Sequence, residues 1–264
     1  EHKPDHSIVT IADIKVEDFL ISTLSKRLKP HLQDVSFLAE EKRDAPKVEN
    51  PKHVVIIDPI DGTTNFSSGN PTYAITAALA DNVDGRLVVR ESVTLQPETS
   101  MFTLSSEAGA FQFDMNSKTM RELDLRHGDA NKIVSLWGDI ADKQDGPVIA
   151  DMLRRLGEKG YAVRMIGSCV LTNAGVASGE YAGAIIYSGN KVYAHPWDLA
   201  SSHQITRAHG IVTTIDGTPD PLNNDPHSMI AARNEIVHRD LLDIVQAARA
   251  SAETAPKAQP VTLG

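Results

Sequence analysis

The segment Asp58-Pro-Ile-Asp61-Gly-Thr-Thr-Asn65 sets two carboxylates three positions apart, with Pro59 between them and Gly62 directly after. The apolar run His53-Val-Val-Ile-Ile57 precedes it and reads as a buried strand that delivers Asp58 at its C-terminal end. Pro59 cannot continue a hydrogen-bonded ladder, so the chain is expected to turn there. Gly62 permits backbone angles closed to other residues. A helix or turn starting at Thr63 would present free N–H groups to an anion. Two carboxylates, the freed carbonyl of Ile60 and this nest of N–H groups make a set of hard ligands. Such a set suits Mg²⁺, which keeps several waters and shares a substrate phosphate.

Further acids stand elsewhere in the chain. Glu40-Glu41 follows the apolar Phe37-Leu38-Ala39, Asp198 follows Trp197 at the start of a helix, and Asp13 opens another helix. Each has a plainer reading. Asp58 and Asp61 can shape a turn or cap a helix, Glu40-Glu41 can be a solvated face, Asp198 can be an N-cap, and Asp13 a capping residue of a first turn. Spacing alone does not bring the clusters together.

The elements that must position these residues fall into two groups. Val16 to Leu28 carries Val16, Phe19, Leu20, Leu24 and Leu28 at helical spacing. After the strand ending at Ile57, the segments Tyr73–Ala80, Leu87–Thr94, Ser100–Leu104 and Ala108–Phe113 read as strands of an antiparallel meander. From about residue 130 the pattern alternates. Strands are expected at Ile133–Trp137, Tyr161–Ile166, Ala182–Tyr187, Ile211–Ile215 and Ser228–Ala232. Helices are expected at Val148–Leu156, Cys169–Ala177, Asp198–Ala208 and Ile236–Ala250. A layered α/β half follows from this alternation. We divide the chain into an N-terminal α+β subdomain (1–128), a C-terminal α/β subdomain with Asp198 (129–250) and a mobile tail (251–264), rich in Ala, Pro, Lys and Thr.

Composition narrows the functions. The chain has 264 residues, 41% of them hydrophobic and 23% charged, as in ordinary globular proteins. The single cysteine, Cys169, excludes an intramolecular disulfide and a cysteine-based zinc site. A formal charge of −9 and the lack of a basic stripe disfavour nucleic-acid binding. No apolar run is long enough to span a membrane, and no export signal precedes the first motif, so a cytoplasmic location is expected. Bound cations would let so acidic a protein attract phosphate.

Taken together, the motifs resemble the inositol monophosphatase-like family of lithium-sensitive, Mg²⁺-dependent phosphatases. Asp58 to Phe66 matches the family's first signature without a gap, and Trp197-Asp-Leu-Ala200 matches the second. Val9-Thr-Ile-Ala-Asp13, Ala39-Glu-Glu41, Gly109-Ala-Phe111 and Arg164-Met-Ile-Gly-Ser168 fall in the family's order. The resemblance runs from Ile8 to about Ala247.

The resemblance implies an α/β fold, a five-layer α-β-α-β-α sandwich, with two to three Mg²⁺ ions where the halves meet. Glu40, Asp58 and the Ile60 carbonyl match ligands of the first ion. Asp58, Asp61 and Asp198 match those of the second, and Glu40 shares a third with waters. Asp13 and Thr63, with Glu40, match the residues that help a water attack phosphorus in line. The Gly62 and Thr63 N–H groups, with Asp61 and Asp198, would meet the phosphate, and Gly167 and Ser168 the alcohol. Glu41 and Lys191 are further candidates. The implied activity is hydrolysis of a small phosphorylated alcohol, an inositol or sugar phosphate. Fructose 1,6-bisphosphate and the 3′-phosphate of adenosine 3′,5′-bisphosphate are alternatives, and a non-catalytic regulator retaining the fold is a different class. Inhibition by Li⁺ and a homodimer are also implied.

Two positions depart from the pattern. Lys191 stands where inositol monophosphatases carry a Glu against the inositol ring. It suits a second phosphate or a sugar oxygen, or it lies in a solvated loop. Seven residues precede Ile8, where the family carries a longer helical segment. A chain without that helix is expected to expose part of its first core and keep every metal ligand.

Overall fold

A computed structural model of the chain describes residues 9–28, 30–41, 50–127, 131–189, 194–219, 222 and 227–254. Helix α1 (Ile11–Leu28) is followed by β1 (Val35–Ala39), β2 (His53–Asp61), the short α2 (Thr63–Ser67), and strands β3 (Ala74–Val83), β4 (Arg86–Gln96), β5 (Met101–Ser106), β6 (Gly109–Asp114) and β7 (Thr119–Leu123). These strands form a sheet of seven in chain order, antiparallel except for the parallel pair β1–β2.

The second group comprises β8 (Ile133–Trp137), α3 (Asp145–Glu158), β9 (Ala162–Arg164), α4 (Cys169–Ala177), β10 (Gly183–Ile186), α5 (Pro196–Leu199), α6 (His203–Arg207), β11 (Ile211–Thr214), β12 (Met229–Ala232) and α7 (Glu235–Thr254). Its five strands form a mixed sheet in the order β11-β12-β10-β8-β9.

Three apolar fillings hold the layers together. Strand β2 is buried on both faces, which is why it reads as one continuous apolar run. Val55 and Ile57 pack against Leu20, Leu24 and Leu28 of α1. Val54 and Ile56, on the alternate face, meet Val176, Leu199 and Ile205 from the helices between the sheets. Strand β10 repeats the device. Its Ala184 and Ile186 join that central filling, and Ile185 joins Met152, Leu156, Leu241 and Ile244 of α3 and α7 on the outer face. The result is the five-layer order α1, first sheet, α4–α6, second sheet, α3 with α7. No helix among the described residues is long and apolar enough to cross a membrane.

The elements differ from expectation at instructive places. Strand β2 does not stop at Ile57 but continues through Pro59 to Asp61, with a register shift against β3 between Asp58 and Asp61. Proline is tolerated within the sheet because the irregularity removes the ladder bond it could not make. The helix expected over Asp198–Ala208 is broken into α5, a turn of 3₁₀ helix at 200–202, and α6. Strand β9 is confined to Ala162–Arg164, and α7 runs on to Thr254, into the stretch read as a tail. Phe19, expected on the packed face of α1, is 66% exposed, and Ile21 packs inward instead.

Candidate active site

The acids converge where the C-terminal end of β2 meets the N-terminal ends of α1, α4 and α5. Asp58, Asp61 and Asp198 are buried, and each offers a carboxylate oxygen within 4.8 Å of the others'. A regular strand would point residues 58 and 61 to opposite faces. The irregularity at Pro59 inserts the offset that lets both meet Asp198.

Asp198 arrives on α5. Pro196 opens that helix in the position where a missing N–H costs nothing. The His195 N–H donates to Asp198 Oδ2 at 2.6 Å. The rings of His195 and Trp197 stack with centroids 4.5 Å apart. Glu40 reaches the cluster through parallel pairing. Ala39 lies opposite Ile57, so the next residues, Glu40 and Asp58, lie side by side. The Glu40 N–H donates to the Ile57 carbonyl at 3.3 Å, and Glu40 stands close enough to raise the Asp58 pKa.

Asp61 is held by the N-terminus of α4. It accepts backbone N–H groups from Cys169 at 3.2 Å and Val170 at 2.8 Å, and the hydroxyl of Ser168. Ser168 is fully buried in this contact, so its side chain faces Asp61 rather than a substrate alcohol. The same hydroxyl caps α4 by accepting from Leu171. The Cys169 thiol is buried beside the acids and pushed well above its usual range, first by burial and then by Asp198, Asp61 and Asp58.

Asp13 is fully buried at the start of α1. Thr10 and Asp13 form a reciprocal cap, in which Asp13 Oδ2 accepts the Thr10 N–H at 2.8 Å and Thr10 Oγ1 accepts the Ala12 N–H at 3.1 Å. The other oxygen, Oδ1, lies 3.2 Å from the Thr63 hydroxyl. That hydroxyl also lies 2.9 Å from the Ile60 carbonyl, so its one proton has two acceptors.

Asn65 locks the turn in place. Its Nδ2 donates to the Thr72 and Ile166 carbonyls at 2.7 and 2.8 Å. Gly62 (φ +87°) and Gly167 (φ +72°) pack into the same knot. A Cβ on Gly62 would lie 3.1 Å from the Thr72 carbonyl, and one on Gly167 3.0 Å from Asn65. Glu41 donates its N–H to Glu17 at 2.8 Å. Lys191 lies outside the described residues.

Crowding sets the electrostatics. Asp58 is pushed well above the usual carboxylate range by burial, then by Glu40, Asp61 and Asp198. Asp61 is pushed up to about 6 by burial, against the lowering pull of Ser168 and the α4 N–H groups. Asp58 Oδ1 is buried with no hydrogen-bond partner among the described residues. An orphaned carboxylate oxygen among like charges is costly. A hard divalent cation fits this donor set and would relieve both penalties.

The comparisons agree with this architecture. The Inositol monophosphatase family matches residues 1–250. The chain is 30% identical over 241 residues to an inositol-1-monophosphatase of Mesorhizobium japonicum, covering 90% of this chain and 82% of that one. Among solved structures, the extragenic suppressor protein suhB of Bartonella henselae aligns with a TM-score of 0.77 and 25% identity, over 93% of this chain and 87% of that one. An IMPase/NADP phosphatase complexed with Mg²⁺ and phosphate shares the fold, with a TM-score of 0.71 at 22% identity over 92% of this chain and 84% of its own. The protein is thus a phosphoric monoester hydrolase. It belongs to the inositol monophosphatase family.

Proposed function

We propose that the protein hydrolyses a small phosphorylated alcohol, an inositol or sugar phosphate, with Mg²⁺ held by the buried acids. The convergence of Asp58, Asp61 and Asp198 around an orphaned Asp58 oxygen carries this reading. Glu40, Asp58 and the Ile60 carbonyl would hold one ion, and Asp58, Asp61 and Asp198 a second. A third would rest on Glu40 and waters. Bound Mg²⁺ supplies Lewis-acid charge to the phosphate and leaving-group oxygens and acidifies water.

The chain's own groups do the rest. Thr63 Oγ1 donates to Asp13 Oδ1, which leaves its lone pairs to orient an incoming water. When the Ile60 carbonyl serves as a ligand, Asp13 is the remaining acceptor for the Thr63 proton. N–H groups at Gly62 and Thr63 face the phosphate from the first turn of α2. The water oxygen bonds to phosphorus as the ester P–O bond breaks in line, and the departing alkoxide takes up a proton. Gly167 would shape the side where the alcohol lies, at the turn it shares with Asn65.

Li⁺ inhibition and a homodimer are what the family likeness supports. Sedimentation equilibrium tests the dimer. Phosphate release from inositol 1-phosphate, fructose 1,6-bisphosphate, adenosine 3′,5′-bisphosphate and NADP⁺, each with Mg²⁺, without it and with added Li⁺, tests the activity. Mg²⁺-dependent release that Li⁺ suppresses is the expected result. No release from any of them by folded, Mg²⁺-loaded protein would overturn the reading in favour of a regulator.

A further inference from the structure

Glu17 is a fully buried carboxylate to which the proposed chemistry gives no task. It lies one helical turn after Asp13 on α1, on the same inward stripe. Its Oε2 accepts the Glu41 backbone N–H at 2.8 Å, a bond that joins segments 24 residues apart. The bond falls at a critical place. Strand β1 ends at Ala39, and the Glu40 N–H makes the last bond to β2. The chain that carries the Glu40 carboxylate towards Asp58 is therefore held by the sheet on one side only. The Glu17 carboxyl on α1 supplies the second hold by accepting that backbone N–H.

We propose that Glu17 is a positioning residue for the metal centre. It fixes the backbone at Glu41 and so sets where the Glu40 side chain meets Asp58. Helix α1 thereby carries both the acceptor for the Thr63 proton and the anchor of Glu40, about 6 Å apart along one rigid axis. This inference rests on the Mg²⁺-dependent reading above. Glu17 itself touches neither ion nor substrate.

The test compares wild type with Glu17→Gln, which keeps a carbonyl acceptor, and Glu17→Met, which keeps the length and loses it. Mg²⁺ affinity is read by calorimetry without substrate, kcat and KM at saturating Mg²⁺, and melting in EDTA. Glu17→Met is expected to bind Mg²⁺ about tenfold more weakly, because the Glu41 N–H loses its bond to α1. Its KM at saturating Mg²⁺ should stay within about twofold of wild type. Glu17→Gln should remain within about threefold of wild type in affinity. In a Glu40→Ala background, Glu17→Met should weaken binding little further, because the two act through one ligand.

A wild-type chain that binds no Mg²⁺ overturns the functional reading and this inference with it. Wild type that binds, with Glu17→Met binding equally well, overturns the inference alone. So does Glu17→Gln weakened as much as Glu17→Met, or full additivity with Glu40→Ala. If Glu17→Met does not fold, Glu17→Asp, which keeps the charge but shortens the reach, carries the same expectation of weaker binding. Wild-type affinity in Glu17→Asp would then contradict the inference.

Discussion

Asp198 is the acid whose position depends most on the rest of the chain, since it comes from the helices between the sheets and its partners come from β2. Its amide variant, Asp198→Asn, keeps size and hydrogen bonding while removing the charge. We expect kcat to fall by roughly 10³-fold, in line with the loss of one preorganised electrostatic partner. A Mg²⁺ titration of phosphate release checks this, and it should also show a raised half-saturation.

Asp61 makes a pH prediction at the same scale. Its carboxyl is pushed up to about 6 by burial, above the ordinary aspartate range. The metal-free folded state therefore holds a proton here that the unfolded state has released, between about pH 4 and 6. Stability from this group is present below the unfolded pKa and is lost as pH rises through the folded one. Mg²⁺ must displace that proton, so its apparent affinity should weaken as pH falls below about 6. Calorimetry in buffers of different ionisation enthalpy should detect proton release on binding at pH 5.5 and much less at pH 8.

At the scale of elements, the first signature works because β2, α2 and α4 are knotted by Asn65. Asn65→Ala removes both bonds and leaves the part-buried carbonyls of Thr72 and Ile166 without this donor. Urea unfolding should show a loss of about 1–3 kcal/mol. The reach of sequence reading is also visible here. A strand end, a Pro-Gly turn and a helix start are local signals that mark Asp58, Asp61 and Asp198 one by one, and the family resemblance is what joins them into one site. Strand β1 was not legible, since five residues of parallel pairing carry no turn of their own, yet that pairing is what brings Glu40 beside Asp58. Glu17 was missed although Asp13, Glu17, Leu20, Leu24 and Leu28 share one helical stripe. Two acids on the stripe that buries its leucines were the available clue. The bond from Ser168 to Asp61 spans 107 residues, so no local motif announces it.

Across the whole molecule, the helices between the sheets meet the first sheet through a polar seam. Ser92 bonds Ser105, Ser105 bonds His203 Nδ1, and Gln204 donates to Thr94. Burial, with help from Arg207 and Arg90, lowers the His203 pKa from 6.5 to about 4. Between those values the unfolded chain binds the extra proton, so stability rises with pH across this window and is lost as pH falls through it. The sign opposes that of Asp61. His203→Gln should flatten the loss of melting temperature between pH 6.5 and about 4, read by thermal scans in EDTA. Scans that superimpose on wild type would assign the acid sensitivity elsewhere. The seam lies in the same layer of helices that carries Asp198.

Glu40 just past β1, Asp58 and Asp61 of β2 and Asp198 of α5 would together hold the cations of one centre. Crystals soaked in Mn²⁺, which shares the oxygen-ligand preference of Mg²⁺, test it most directly by anomalous diffraction. The account predicts anomalous peaks about 2.0–2.3 Å from oxygens of Asp58, Asp61 and Asp198, with a further peak between Glu40 and Asp58. Crystals at saturating Mn²⁺ with no peak among these carboxylates, or with peaks only elsewhere, would contradict it.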